Sequence, residues 1–396
     1  MMQDASICWE EGGQTCSAVW HSENGIAAHK KVVTADDALT ADDAYHLACE
    51  GTAILWKGDF QNARQLLQAL VRRIDKPSKK SKRAGKRVVK SDTTTPKKSA
   101  KDVFNQHRLV RSQRARILGM LLIQCNADHT ISLRRAPDIS KACAEAYGAV
   151  KQSYVVSLRE LLGVISAHEW RKNGLPILAN EHGEPVFVHP HYGVFSPVRG
   201  EYIELVSNAP LPKALDAKSI AFDIGVGTGV LSIILAMRDI QKIVATDQDD
   251  RALACAKENI ALLNLGSQIE IVKANLFPQA KASLIVCNPP WVPARPSSTL
   301  EHAVYDPESQ MLKGFLAGLK DHLLPQGEAW LILSDLAEHL ELRTRQELLS
   351  WFESAGLVVV GRIDTKPKHP KSADETDLLY FARAAETTSL WRLGLK

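Results

Sequence analysis

No apolar stretch in this chain approaches the ~20 residues that a membrane-spanning helix requires, and its seven cysteines form no Cys-x-x-Cys pair. The first absence argues against a helical membrane protein and against a membrane partner. The second, with an odd cysteine count, argues against a full disulfide framework and fits a reducing cytoplasm. Met1 to Glu10 shows neither a basic start nor a following hydrophobic stretch, so no signal peptide is expected. His168-Glu169 and His189-x-His191 match no standard zinc spacing and no cysteines join them, so no metal is expected. What remains is an ordinary globular composition over 396 residues, enough for about two domains.

Charge is present but unevenly placed. Residues 76–101 hold eleven Lys or Arg against the single acid Asp92, a net +10, while the whole chain carries only +4. Prolines, serines and threonines fill the rest of that segment. With so little apolar surface it cannot offset its ordering entropy, so it is expected to be a disordered linker that could contact nucleic acid. Arg108, Arg111, Arg114 and Arg116 follow on an expected helix over 103–122 and extend the positive surface.

The flanking regions read as helical. Thr40-Ala-Asp-Asp43 resembles a helix start, and Phe60, Ala63, Leu67, Leu70, Val71 and Ile74 repeat at the helical period. Ser157-x-x-Glu160 caps a helix over 158–171 that Gly174 stops, and 130–134 suits a short strand. The expected organisation is a helical segment over 1–75, the linker over 76–101, a helical accessory region over 102–188, and an α/β domain over 189–396.

The chemistry concentrates in that last part. Ser283 to Cys287 reads as a buried strand ending in Asn288-Pro289-Pro290-Trp291. Neither proline donates a backbone N–H, and Asn288, before a proline, is pushed into an extended conformation. Such a stiff loop suits a planar NH₂ group. The Asn288 side-chain oxygen and the Pro289 carbonyl accept its hydrogens, Pro290 stiffens the loop, and Trp291 stacks on the π-face.

Upstream, Ile220 to Ser232 reads as a strand, a glycine turn at Gly225, Gly227, Thr228 and Gly229, and a helix start. By itself this would also suit a dinucleotide site. The next strand ends in Asp247, eighteen residues after Gly229, an acid placed for ribose hydroxyls. A helix over 251–263, a strand over 269–275 and the Asn-Pro-Pro strand complete a run of βα units, which predicts a doubly wound sheet with ligands above the strand ends. Strands over 327–334, 357–363 and 378–384 and a helix over 343–355 finish the domain, the last two strands being an expected antiparallel pair.

Asp223-x-Gly-x-Gly-x-Gly229, Asp247, Asn275 and Asn288-Pro-Pro-Trp291, in this order, resemble class I S-adenosylmethionine-dependent methyltransferases. The likeness is greatest to the branch with the small methyltransferase domain, HemK-type protein-glutamine and rRNA or DNA amino-methyltransferases included, and covers roughly residues 190–385. It implies a Rossmann-like sheet with an antiparallel C-terminal hairpin and S-adenosylmethionine as cofactor. Under it, Asp223 and the backbone from Gly225 to Gly229 hold the methionine part, Asp247 the ribose, and Asn275 with Leu276 the adenine; Asn288 also borders the cofactor. Asn288 to Trp291 hold the acceptor nitrogen. Phe195 and Arg199, in a Gly-Val-Phe-Ser-Pro-Val-Arg-Gly-Glu segment, are candidates for lining the cofactor entrance and contacting the substrate, a structural lid being the alternative. Asn275 stands where an acid is usual, and Trp291 where Tyr or Phe is.

The expected activity is N-methylation of a planar amide or amino nitrogen. A HemK-like glutamine in a translation factor or ribosomal protein comes first, an rRNA or DNA adenine N6 or guanine N2 second. A non-catalytic RNA- or ribosome-binding scaffold is the rival from another class.

Overall fold

The computed structural model describes residues 5–75, 98–198, 200–216, 218–368 and 374–396, the chain dividing into two compact units. Nearly all of the basic linker expected over 76–101 lies outside the described residues. The first unit runs to His168 apart from 99–104, and the second comprises Ser99–Phe104 and Glu169–Lys396.

The first unit is built on strands β1 (Ser6–Glu11), β2 (Gln14–Trp20), β3 (Val32–Ala35), β4 (Ala53–Trp56), β5 (Leu121–Cys125) and β6 (Tyr154–Ser157). They form one mixed sheet in the order β1-β2-β6-β5-β4-β3. Helices α1 (Ala41–Cys49), α2 (Phe60–Ile74), α3 (Ala100–Leu118), α4 (Ser140–Tyr147) and α5 (Leu158–Asn173) accompany it, the unit boundary falling within α3 and α5. The expected helix starts are present. Thr40 accepts the Asp43 N–H at 3.2 Å, Asp59 accepts the Gln61 N–H at 2.8 Å, and Ser157 accepts the Glu160 N–H at 3.2 Å. α2 buries Phe60, Ala63, Leu66, Leu67 and Leu70 as one stripe.

A mostly helical accessory domain is therefore corrected to an α/β one. Helices do hold more residues than strands, but the six-stranded sheet organises the core of Ile7, Trp9, Leu55, Leu122 and Val155. The expected helix over 103–122 stops at Leu118, and Leu121 begins β5. Residues 130–134 form no strand.

In the second unit a two-stranded ribbon, β7 (Leu175–Ala179) and β8 (Pro185–Val188), precedes α6 (Glu201–Asn208). The main sheet then runs β9 (Ala221–Ile224), α7 (Val230–Met237), β10 (Ile243–Asp247), α8 (Asp250–Leu262), β11 (Ile269–Lys273) and β12 (Ala282–Cys287), with no helix between the last two strands, so the expected run of βα units is interrupted there. After it come α9 (Gln310–His322), β13 (Leu323–Ser334), α10 (Leu336–His339), α11 (Arg345–Ser354), β14 (Leu357–Thr365), α12 (Tyr380–Ala385) and β15 (Thr388–Leu395). The strand order is β11-β10-β9-β12-β13-β15-β14. β9 to β13 run parallel, and β15 lies antiparallel to both β13 and β14.

Helices cover both faces. α6, α7 and α8 bury Ile203, Leu231, Ile234, Ala256 and Ile260 on one. α9 and α11 bury Phe315, Leu319, Leu348 and Phe352 on the other. α11 starts with a reciprocal capping box between Thr344 and Glu347. The antiparallel hairpin is present, but its second strand is Thr388–Leu395, and the expected strand over 378–384 is mostly α12. β15 sits between two strands and is buried over most of its length. That central position selects the segment with Trp391, Leu390 and Leu393 over the shorter apolar run before it.

Candidate active site

β9 and β12 are neighbours in parallel register, with Ile224 opposite Cys287. The glycine turn and the Asn-Pro-Pro loop thus leave the same edge of the sheet side by side. This adjacency follows from the strand order reversing at β9, the switch point where a crevice opens above the strand ends.

The turn requires its glycines. Gly225, Gly227 and Gly229 have φ of +83°, +52° and +85°, and a Cβ on Gly225 would stand 3.1 Å from the Met311 Cε. The Gly225 and Val226 N–H groups both donate to the Thr246 carbonyl, at 2.9 and 2.8 Å, which locks the turn to β10. Gly229 opens α7 with Thr228 buried beside it.

Two acids flank the turn. Asp223 is fully buried on β9, and its Oδ2 accepts the Ser232 N–H at 2.9 Å and hydroxyl at 2.6 Å. Its Oδ1 has no partner. Burial pushes its carboxyl up to about 6, against the opposing pull of the Ser232 bonds. Asp247 ends β10; its Oδ2 accepts the Gly227 N–H at 3.2 Å and its Oδ1 the Asp249 N–H at 3.0 Å. Burial raises its carboxyl too. A carboxylate has about four acceptor positions, so Asp247 retains capacity beyond these two bonds.

After β11, Asn275 is exposed and Leu276 adopts φ +69°. A bulky residue at positive φ is a backbone outlier. The Thr246 hydroxyl holds it there, donating to the Leu276 carbonyl at 2.5 Å. Thr246, fully buried, thus fixes both loops and is missing from the sequence reading; nothing but its place before Asp247 signals it.

At the end of β12 the Trp291 indole N–H donates to the Asn288 Oδ1 at 2.8 Å. The expectation of Trp291 as a stacking platform alone is extended by this bond. It fixes which end of the amide is oxygen and leaves that oxygen one further lone pair. Pro289 is buried, and Pro290 and Trp291 are half-buried. The following backbone is tied down: Val292 N–H donates to the Val304 carbonyl and Asp306 N–H to the Val292 carbonyl, at 3.1 and 2.9 Å. Buried Asp306 in turn accepts the N–H groups of Met311 and Leu312 at 3.0 and 3.1 Å, anchoring the start of α9. Cys287 is fully buried in the strand with its thiol pushed upward by burial, so it is no nucleophile.

Asn259 is a further residue the sequence did not single out. It is fully buried on α8, its Nδ2 donates to the Thr228 carbonyl at 2.9 Å, and its Oδ1 accepts the His189 N–H at 2.7 Å. It stitches the segment leading to Phe195 onto the glycine turn. Phe195 is half-buried, and Arg199 lies outside the described residues. His191 bonds Glu258 at 2.7 Å, His189 bonds the Arg171 carbonyl at 2.6 Å and His168 bonds Glu145 at 2.9 Å. Among the described residues no group of His, Cys, Asp and Glu could hold a metal ion, and no helix is long and apolar enough to cross a membrane.

Residues 186–355 match the family model of the methyltransferase small domain. The tRNA1(Val) (adenine(37)-N6)-methyltransferase of Shewanella sp. (strain W3-18-1) is 29% identical over 182 residues, covering 43% of this chain and 73% of that protein. Ribosomal protein L11 methyltransferase of Alkaliphilus metalliredigens (strain QYMF) is 27% identical, covering 31% of this chain and 43% of its own length. Among solved structures, ribosomal protein L11 methylase from Lactobacillus delbrueckii subsp. bulgaricus aligns over 49% of this chain and 76% of its own, with 17% identity and a TM-score of 0.33. The cofactor implied by the family fits the residues present, because a buried carboxylate with one free oxygen, beside a glycine turn and a second acid, suits a ligand with a cationic amine and a ribose. The second unit carries a class I S-adenosylmethionine-dependent methyltransferase domain.

Proposed function

We propose that the chain methylates the exocyclic amine of a purine, adenine N6 foremost, in an RNA of the translation apparatus. The observation that carries this reading is the Trp291–Asn288 hydrogen bond at 2.8 Å, on a loop set beside the glycine turn. An amide oxygen so fixed presents an acceptor to a planar NH₂, and the Pro289 carbonyl supplies the second. Adenine presents that group with a flat π-face for Trp291. The name of the 29% identical relative, an adenine-N6 enzyme acting on tRNA, favours adenine over glutamine.

Bound S-adenosylmethionine supplies a methyl already activated by its sulfonium. The chain's task is alignment and charge. Asp247 takes the ribose hydroxyls, Gly225 to Gly229 let the cofactor approach the backbone, and Asn275 and Leu276 border the adenine. Asn288 and the Pro289 carbonyl orient the acceptor nitrogen and stabilise the positive charge that grows on it. The amine proton leaves afterwards to water, so no strong base is required.

Asp223 gives the binding a pH dependence. Its carboxyl, raised to about 6, is neutral below that pH and anionic above it. A cationic ligand favours the anion, so cofactor affinity is expected to rise roughly ten-fold between pH 5 and pH 7.5. Without ligand the sign reverses. A raised carboxyl contributes stability that is complete below its ordinary value and is lost as pH rises through about 6. Calorimetry across this range checks the first statement, and Asp223→Asn should flatten the curve.

The acceptor is tested with methyl-labelled cofactor, the purified chain, and RNA and protein from cells lacking the gene. Label in RNA, recovered as N6-methyladenosine after digestion, is the expected result. Label in a protein glutamine would replace this reading with the HemK-like one.

A further inference from the structure

We propose that Phe104, in the first turn of α3, is a positioning residue for methyl transfer. It braces the acceptor loop from behind, through Tyr305 and Val292, and so holds the Trp291 ring and the Asn288 amide in place. The inference rests on the acceptor-loop reading above and deepens it by naming what keeps that loop still.

The loop itself offers little to hold. Pro289 and Pro290 donate no backbone N–H, and Trp291 is only half-buried. What fixes it is the residue that follows. Val292 pairs with Tyr305 in an isolated parallel bridge, its N–H on the Val304 carbonyl and its carbonyl on the Asp306 N–H. Behind that bridge the Phe104 ring stands edge-on to the Tyr305 ring, with centroids 6.4 Å apart and planes at 64°. Phe104 is buried in one apolar cluster with Val292, Leu340, Leu379 and Ala382, against which Trp291 and Tyr305 pack.

The first turn of α3 is itself anchored there. The Ser99 hydroxyl accepts the Asp102 N–H at 3.1 Å, capping the helix. The Ala100 N–H donates to the Glu341 Oε2 at 3.1 Å, just beyond α10. Ser99 to Phe104 accordingly group with the second unit, whereas the helix from Asn105 onward groups with the first. Phe104, Leu379 and Ala382 all lie outside residues 186–355, the stretch that matches the family model. The wall behind Trp291 is thus drawn from both flanks of the matched domain.

A buried phenylalanine can serve stability alone, and the direction of its contacts separates the two roles. A cavity at Phe104 opens onto Tyr305 and Val292, and neighbouring groups relax into it. The glycine turn and the Leu276 backbone are held elsewhere, by Thr246 and Asn259. Loss of Phe104 should therefore misplace the acceptor and spare the cofactor. Small displacements of reacting groups are costly: about 1 Å can slow a reaction roughly 10²-fold.

The test is single-turnover transfer from methyl-labelled S-adenosylmethionine by the full chain, with RNA and protein from cells lacking the gene as acceptors. Phe104→Ala should slow transfer roughly ten- to a hundred-fold, with cofactor affinity changed less than about three-fold. Phe104→Leu fills most of the space and should keep most of the rate. Phe352→Ala is the control, because its ring is buried on α11 with its centroid 5.5 Å from that of Trp391. It should lose a comparable amount of melting temperature and keep the rate within about three-fold of wild type. Phe104→Ala combined with Trp291→Phe should be little slower than the slower single variant, because both act on one ring. Where Phe104→Ala does not fold, Ser99→Ala/Glu341→Ala loosens the turn without a cavity and should slow transfer about three-fold. Slowing by Phe104→Ala no greater than that by Phe352→Ala, or full additivity with Trp291→Phe, overturns the proposal. So does a wild-type rate in Phe104→Ala alongside a slow Asn288→Ala, which keeps the acceptor-loop reading and rejects the brace. A wild-type rate in both removes that reading too.

Discussion

Asn288→Ala is expected to slow single-turnover methyl transfer by about 10²–10³, with cofactor affinity changed less than three-fold. The size follows from removing one acceptor that matters most once positive charge builds on the target nitrogen. Loss of a comparable fixed partner for transition-state charge costs that much in other active sites. The structure adds a second half to the experiment. Because the Trp291 N–H holds the Asn288 Oδ1, Trp291 orients the amide in addition to the stacking proposed for it. Trp291→Phe keeps a ring and deletes the donor, so the amide is free to turn its NH₂ towards the acceptor. It should lower the transfer rate by roughly ten-fold, one ordinary hydrogen bond's worth. Trp291→Leu removes the ring as well and should also raise the apparent KM for the acceptor. If the loop were only a turn after a core strand, all variants would lose stability together and transfer in proportion. Melting temperature, cofactor affinity and single-turnover rate on the same preparations separate the cases. A folded, cofactor-binding Asn288→Ala protein with the wild-type rate would end the proposed mechanism.

The methyltransferase unit was legible because its signals are long-range and redundant. Two βα units followed by two further parallel strands, where four βα units were expected, glycines at fixed positions and an acid at the next strand end still agree, and the sheet order follows once the switch point is placed. The hairpin shows where that agreement ends. Residues 378–384 look as strand-like as 388–395, and only the sheet's need for a strand buried between β13 and β14 decides between them. The first unit was harder. Val32–Ala35, Ala53–Trp56 and Tyr154–Ser157 are four-residue strands, too short for a period to declare itself, and periodicity cannot tell such runs from buried helix. The long helices α2 and α5 dominated the pattern instead. At the site, the residues proposed to carry chemistry stand out by type and spacing. Those that hold them, Thr246, Asn259 and Asp306, do not, because each acts by bonding backbone distant in sequence.

Asp247→Ala should weaken S-adenosylmethionine binding by roughly ten- to a hundred-fold. Hydrogen bonds to a charged group contribute about 1.5–3 kcal/mol, and 1.4 kcal/mol is one decade in affinity. Two effects add here. The ribose loses its acceptor, and the Gly227 N–H loses the Asp247 oxygen that steadies the turn. Stability should move little in the free protein, because burial already disfavours this carboxylate and its removal relieves that cost while leaving the Gly227 and Asp249 N–H groups to water. Asp247→Asn separates the two effects. Its amide oxygen can still brace one N–H, but the charge is gone, so its affinity should lie between wild type and alanine. S-adenosylhomocysteine, which keeps the ribose and lacks the sulfonium, should lose affinity by the same factor in each variant. A loss confined to the sulfonium compound would mean that Asp247 serves the cofactor's positive charge and not its sugar. Calorimetric titration of both compounds, alongside the melting temperature of each free variant, distinguishes these outcomes. Equal affinity in wild type and Asp247→Ala would remove the residue from the cofactor site.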